Sequence, residues 1–424
     1  MKNKIYSKYK SKSEFTRNVL TLMTGTTIAQ AIPIAASPIL SRIYTPEDYG
    51  VFALFVAITS IFGSISAGRY ELAIMLPEED EDAINIFALG FIITSILSFT
   101  LLILIILFQK YFVRILDNEE IGYWLYFIPL TVFFTGFYNL LNFYNIRSKK
   151  FKDISAAIII KVTSNAIVQI SIGFVKAGFF GLISGQIISQ ALGNSRLLKN
   201  IIKDRNLISK VSKISIVRQA KRYKDFPKYS MAGALANTLT VSLINILLPF
   251  LFSLTSLGFY SLVQRVLGMP MTLMGNAIGQ VFLQKATIEK KETGLAKNIF
   301  NSTIKKLIII SLPVFIVIYL TVEDVFAFVF GADWEISGVY AKIMIPFFLI
   351  RFISSPLSNI TTVFEKQKSG LLINIILLIS SLIILGTSYL LSIEFIDFIM
   401  ITTYIMTFNY LMFLLYYKKI ANGS

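Results

Sequence analysis

Four cations lie inside long apolar stretches of this chain: Lys161, Arg265, Lys342 and Arg351. A charged side chain at the centre of a bilayer costs roughly 3 kcal/mol on insertion scales, so such a position is a functional candidate by default. Guanidinium and ammonium groups placed there can attract and hold an anion, and the guanidinium fork matches the oxygens of a phosphate or carboxylate two at a time. The chain has neither Cys nor His. That excludes thiolate nucleophiles, disulfides, most zinc sites and a histidine general base. All 24 Asp and Glu residues fall in loops, at span edges or in the tails. The apolar interior is therefore purely cationic, and its chemistry is anion binding without a catalytic group, metal or cofactor. Any coupling ion is left open.

The elements that must position these cations follow from composition. Of 424 residues 55% are hydrophobic and 15% charged, and the mean hydropathy is +0.69, which is a polytopic membrane protein. A segment spanning lipid must satisfy its own backbone hydrogen bonds, so the spans are helices of about 20 residues. Twelve are predicted: 18–41, 49–68, 83–109, 121–146, 154–175, 177–195, 229–251, 257–284, 307–322, 336–364, 369–393 and 398–417. The first, at 24 residues, is too long for a signal-peptide core and reads as an uncleaved span. Pro33 and Pro38 inside it, with Pro249 and Pro270 further on, free backbone carbonyls and are hinge candidates.

Loops that alternate on one side of these spans, with both termini, carry 32 Lys and Arg; the opposite loops carry 4, namely Arg42, Lys110, Arg114 and Lys176. The positive-inside rule then places both termini in the cytoplasm and explains the net charge of +16 without nucleic acid. The expected organisation is a cytoplasmic tail (1–17), an N-lobe of helices 1–6 (18–195), a basic cytoplasmic linker (196–228), a C-lobe of helices 7–12 (229–417) and a short cytoplasmic tail (418–424). Pro38 to Gly68 and Pro249 to Gly279 are both 30 residues apart, with Tyr49-Gly50 and Leu257-Gly258 opening the second helix of each unit. Six spans separate the copies, so the expected fold is all-α, two six-helix lobes related by a pseudo-twofold along the membrane normal, with a central cavity between them.

Helical rise puts Lys161 about 11 Å from the inner boundary of its span, Arg265 about 12 Å and Arg351 about 22 Å below the outer boundaries of theirs. Lys342, about 9 Å from the outer edge, is expected to snorkel. Arg265, Lys161 and Arg351 are thus the substrate-binding candidates, with Arg69, Gln169 and Asn165 as secondary ones. Each has a structural alternative. Lys161, Asn165 and Gln169 share a face that is either a polar seam between helices or a cavity wall. Arg351 and Arg265 sit near prolines whose freed carbonyls an arginine could cap, and Arg69 with Glu71 forms a local interfacial pair.

The stretch LTLMTGTTIAQAIPIAASPILSRIYTPEDYGVFALF (Leu20 to Phe55), GRYELAIMLP (Gly68 to Pro77), the NIRSKKFKDIS segment and LGFYSLVQRVLGMPMTLMGNAIGQVFLQKA (Leu257 to Ala286) resemble bacterial flippases of the Wzx type, in the multidrug/oligosaccharidyl-lipid/polysaccharide (MOP) superfamily. The resemblance covers essentially the whole chain. It implies a flippase for an undecaprenyl-pyrophosphate-linked glycan repeat unit of O-antigen, capsule or exopolysaccharide, working by alternating access among membrane lipids and other polysaccharide assembly proteins. In related lipid II flippases an arginine a few residues before a proline in helix 8 is implicated in head-group binding, and Arg265 matches it. Those relatives also carry cavity charges in spans 1 and 2, which this sequence lacks; Lys161 is the substitute. The alternatives are a cation-coupled multidrug exporter of the same superfamily, which needs an intramembrane carboxylate, and a membrane polysaccharide polymerase, which needs a large outer loop.

Overall fold

The computed structural model describes residues 24–116, 119, 121–175 and 178–423. The expected N-terminal tail and the first six residues of the first predicted span lie outside the described residues. Among the described residues the chain is helical throughout, without a strand. Nine helical stretches among the described residues are long and apolar enough to cross a membrane, at the positions of predicted spans 2–5, 7 and 9–12. Helices also cover spans 1, 6 and 8: α1 (24–43), α8 (Phe180–Ile202) and α12 (Leu254–Thr293). The protein is a multi-pass membrane protein.

The chain divides into two compact units. The first takes the chain up to Ile43 and Phe55–Thr238; the second takes Tyr44–Leu54 and Leu239–Ser424. The first nine residues of α2 (Pro46–Ile65) thus belong with the second unit and the remainder with the first.

In the first unit, α4 (Asp80–Leu116) packs on α6 (Ile128–Arg147), and α6 on α8; α7 (Phe151–Val175) lies along α8. At 37 residues α4 outruns a bilayer, and it kinks at Phe108, one residue before the predicted end of the span. The acidic run Glu78–Asp82 has a structural use. Asp80, Glu81 and Asp82 stand in the first turn of α4, where carboxylates complement the helix dipole. Asp80 also meets Arg147, Glu81 meets Lys210 and Asp82 meets Arg218. Arg147 further donates to the carbonyls of Ile74, Pro77 and Glu78, so the end of α6 clamps the turn before α4.

The basic linker is folded onto this unit. It contains α9 (Arg205–Ile208), α10 (Lys213–Arg222) and a π-turn at Phe226–Ser230. Asn85 accepts from the Ser212 N–H and donates to the Lys210 carbonyl, and the Tyr70 hydroxyl donates to the Ala220 carbonyl.

In the second unit, α14 (Glu335–Leu357) packs on α12, α13 (Lys297–Phe330) and α17 (Phe395–Ala421), and is the central helix. The remaining long helices there are the later part of α11 (Met231–Leu251) and α16 (Gln367–Leu391). The starts of α2 and α12 repeat one design 208 positions apart. Thr45 and Asp48 cap α2 reciprocally, with Thr45 N–H and Oγ1 donating to Asp48 Oδ2 and the Asp48 N–H donating to Thr45 Oγ1. Ser253 accepts from the Ser256 N–H at the start of α12. Two residues past each box comes a glycine, Gly50 or Gly258.

Candidate anion-binding site

Those two glycines position Arg265. A Cβ at Gly50 would collide with the backbone of Leu254, and a Cβ at Gly258 with the backbone of Pro46. The contact is reciprocal, each helix resting its first-residue carbonyl on the other's glycine. Only hydrogen at both positions lets the backbones approach so closely. The crossing carries Tyr49 into the second unit, where it is 1% exposed and meets the fully buried Trp334 edge-on, ring centroids 4.9 Å apart. Phe259 meets the other side of Trp334 at 6.0 Å.

Arg265, seven residues past Gly258, lies over the rings of Tyr49 at 5.5 Å and Phe52 at 5.9 Å. It is half-buried and, among the described residues, has no carboxylate partner and makes no hydrogen bond. A guanidinium resting on aromatic faces keeps its N–H edge directed away from them and free to donate. Pro270 falls in the part of α12 whose side chains are not described.

Arg351 sits on central helix α14, over the Phe347 ring at 5.7 Å. The buried Tyr260 hydroxyl lies within its electrostatic reach and accepts a 2.7 Å hydrogen bond from Gln264, the neighbour of Arg265. The proline-capping alternative finds no support for either arginine, since among the described residues neither donates to a carbonyl.

In the first unit the glycines of α8 play a similar part. A Cβ at Gly185 would stand 2.6 Å from Gln169 Cγ and 2.9 Å from Asn165 Oδ1; one at Gly193 would stand 3.3 Å from Lys161 Cβ. Gln169 is 3% exposed and donates to the Leu182 carbonyl. Asn165 and Gln169 thus line the seam between α7 and α8. Lys161 starts in the same seam and carries its Nζ over the Tyr138 ring of α6, at 4.9 Å. It too has no carboxylate partner among the described residues.

Lys342 is different. It pairs with Glu323 at 3.1 Å and lies over Tyr319 at 5.4 Å, instead of reaching alone for the membrane edge. The predicted ninth span stops at Val322, but α13 runs on to Phe330 and brings Glu323 alongside α14.

Arg69 follows Gly68 in a left-handed turn, φ 62° and 58° respectively, where α2 has ended. Its guanidinium meets Glu71 at 3.3 Å. Glu71 stands at a span edge, as the sequence places it, yet is 3% exposed, with one carboxylate oxygen lacking a partner. Burial pushes its carboxyl up, while its own backbone N–H and Arg69 pull it back down. Pro33 and Pro38 lie within unbroken α1, and Pro249 in the last turn of α11.

The rings that hold the cations, Tyr49, Phe52, Tyr138 and Phe347, escape sequence reasoning because 36 Phe and 20 Tyr offer no way to choose among them. One signal was present for Tyr49: it precedes the repeat glycine.

Comparison with known proteins agrees with this architecture. No curated protein matches the sequence. Among solved structures, the lipid II flippase MurJ in an inward closed conformation superimposes with a TM-score of 0.74 at 13% identity, over 94% of this chain and 87% of that one. An inward-facing multidrug resistance MATE family transporter of the MOP superfamily gives 0.70 at 14%, over 92% and 95%. A MOP superfamily transporter from Pyrococcus furiosus, described as having a binding pocket of reverse polarity, gives 0.62 at 15%, over 96% and 95%. At such identities these likenesses show the fold, that of MOP transporters. The family model described as "Polysaccharide biosynthesis protein" matches residues 39–338, most of the chain. The protein belongs to that polysaccharide biosynthesis family and has the MOP transporter fold.

Proposed function

We propose that this protein is a flippase that moves an undecaprenyl-pyrophosphate-linked oligosaccharide across the bacterial cytoplasmic membrane, by alternating access, for assembly of a surface polysaccharide. The observation that carries the reading is Arg265: a membrane-embedded guanidinium held on two aromatic rings, without a carboxylate partner among the described residues, in a polysaccharide biosynthesis protein. A pyrophosphate is the anion in such a substrate, and a guanidinium at low local dielectric pairs with it strongly. Arg351 and Lys161 supply further charge that no carboxylate among the described residues pairs. The lipid tail stays in the bilayer, and the polar head group is what the cations accompany. Both termini and the basic linker face the cytoplasm, and twelve helices cross.

The test is complementation of a strain lacking the protein. Arg265→Ala, inserted at the normal level, is expected to abolish export of surface polysaccharide and to leave lipid-linked glycan accumulating inside. Export at the normal rate by the triple variant Arg265→Ala, Lys161→Ala and Arg351→Ala overturns the reading.

A further inference from the structure

The linker helix α10 docks by one face only. Ser215 and Gln219 are buried against the first unit, and Ile216 and Ala220 pack on its core. The opposite face presents Ile214, 83% exposed, and Val217, 45% exposed, with Lys221 and Arg218 beside them. Val211 and Ile208, just upstream, are also exposed. Lys213, Lys221, Arg222, Lys224 and Lys228 are exposed and, among the described residues, have no carboxylate partner. A helix face that mixes exposed β-branched residues with unpaired cations suits neither bulk water nor a protein core. It matches the boundary of a bilayer, where apolar side chains enter the acyl region and lysines reach the head groups.

In the proposed topology the linker also lies at a membrane surface. It joins α8 to α11, and 28 residues separate the end of one, Ile202, from the start of the other, Met231. The acidic turn of α4 neutralises only part of its charge, through Lys210 and Arg218. We infer that the exposed face of α10 binds anionic phospholipid, the linker lying on the head groups of the leaflet that carries them. Charge complementarity selects the occupant, since Lys and Arg near a negatively charged leaflet are attracted to it while a neutral leaflet offers only the apolar contribution. The inference borrows the orientation of the proposed function but not its substrate.

The natural absence of cysteine allows a direct test. Ile214→Cys in the full chain is labelled with a polarity-sensitive fluorophore and reconstituted in vesicles of phosphatidylcholine alone or with about a third phosphatidylglycerol. Asn206→Cys, an exposed polar position in α9, serves as the reference. The expected result is a blue shift at position 214 in the anionic vesicles, with quenching by head-group-depth lipid quenchers, reversed by high salt. Removing the charges with Lys213→Gln, Lys221→Gln, Arg222→Gln and Lys224→Gln is expected to abolish the dependence on lipid composition. A label at 214 as wet as that at 206 in both vesicles overturns the inference. So does a label shielded in native membranes but wet in anionic vesicles, an outcome that assigns the face to a protein partner. Loss of the blue shift with export intact would overturn the lipid surface alone, and normal export by the Arg265, Lys161 and Arg351 triple variant with the blue shift intact would overturn the flippase reading alone.

Discussion

Lys161 and Arg265 are both cations in long apolar helices without a carboxylate partner among the described residues, yet the two units hold them differently. Lys161 threads its stem through a tight seam between α7 and α8, where Gly193 makes room, and reaches one ring at its end. Its packing is mostly that of a hydrocarbon chain. Arg265 lies on two rings delivered by another helix, and its position depends on the Gly50 and Gly258 crossing. The lesson is that a buried charge can be kept by its own helix pair or staged by a distant one. The Arg265 guanidinium also has a planar edge of N–H donors, which the Lys161 ammonium lacks.

The comparison predicts unequal losses when charge is removed and volume kept. Arg265→Met is expected to abolish polysaccharide export. Lys161→Met preserves the stem packing and is expected to reduce export about tenfold, equivalent to about 1.4 kcal/mol. Equal losses, measured as surface polysaccharide per inserted molecule, would erase the distinction. Gly258→Leu forces a side chain against the Pro46 backbone and is expected to cost about 1–3 kcal/mol, seen as a lowered Tm of the purified protein. Gly193→Ala, facing a flexible lysine stem, is expected to move the Tm much less.

Smaller effects sharpen the picture. Tyr49→Leu removes one of the two rings under Arg265, and head-group affinity is expected to fall by about 1 kcal/mol, roughly fivefold. Glu71 offers a test in pH. Its carboxyl is raised above the ordinary 4.5 by burial, so the native state keeps this proton to a higher pH than the unfolded chain does. Its contribution to stability therefore declines as pH rises from about 4.5 through the native value, and Glu71→Gln is expected to flatten that slope in thermal unfolding. The smallest change is Lys342→Gln. The Lys342–Glu323 pair has both side chains more than a third exposed, so its loss is expected to cost under about 1 kcal/mol and to leave export intact.

Much of this was legible in the sequence because it is local or additive. Apolar length determined where helices form, and the same segments appear in the structure at each predicted span. The helix caps at Thr45 and Ser253, and the glycine five residues after each, are short-range features of the chain. The list of cations inside apolar segments was likewise a count along the chain. The shared face of Lys161, Asn165 and Gln169 was visible too, with helix seam and cavity wall as its two readings, but the sequence did not choose between them.

What only the tertiary structure decided are the meetings between residues far apart in sequence. Tyr49 lies under Arg265 across more than two hundred positions, Glu323 runs far enough along α13 to neutralise Lys342, and Glu71 is buried although the chain places it at a span edge. Helical periodicity specifies which residues share a face of one helix, and it carries no information about which face of another helix arrives opposite. A long-range pairing depends on how closely two backbones can approach, and here two missing Cβ atoms, at Gly50 and Gly258, allow that approach.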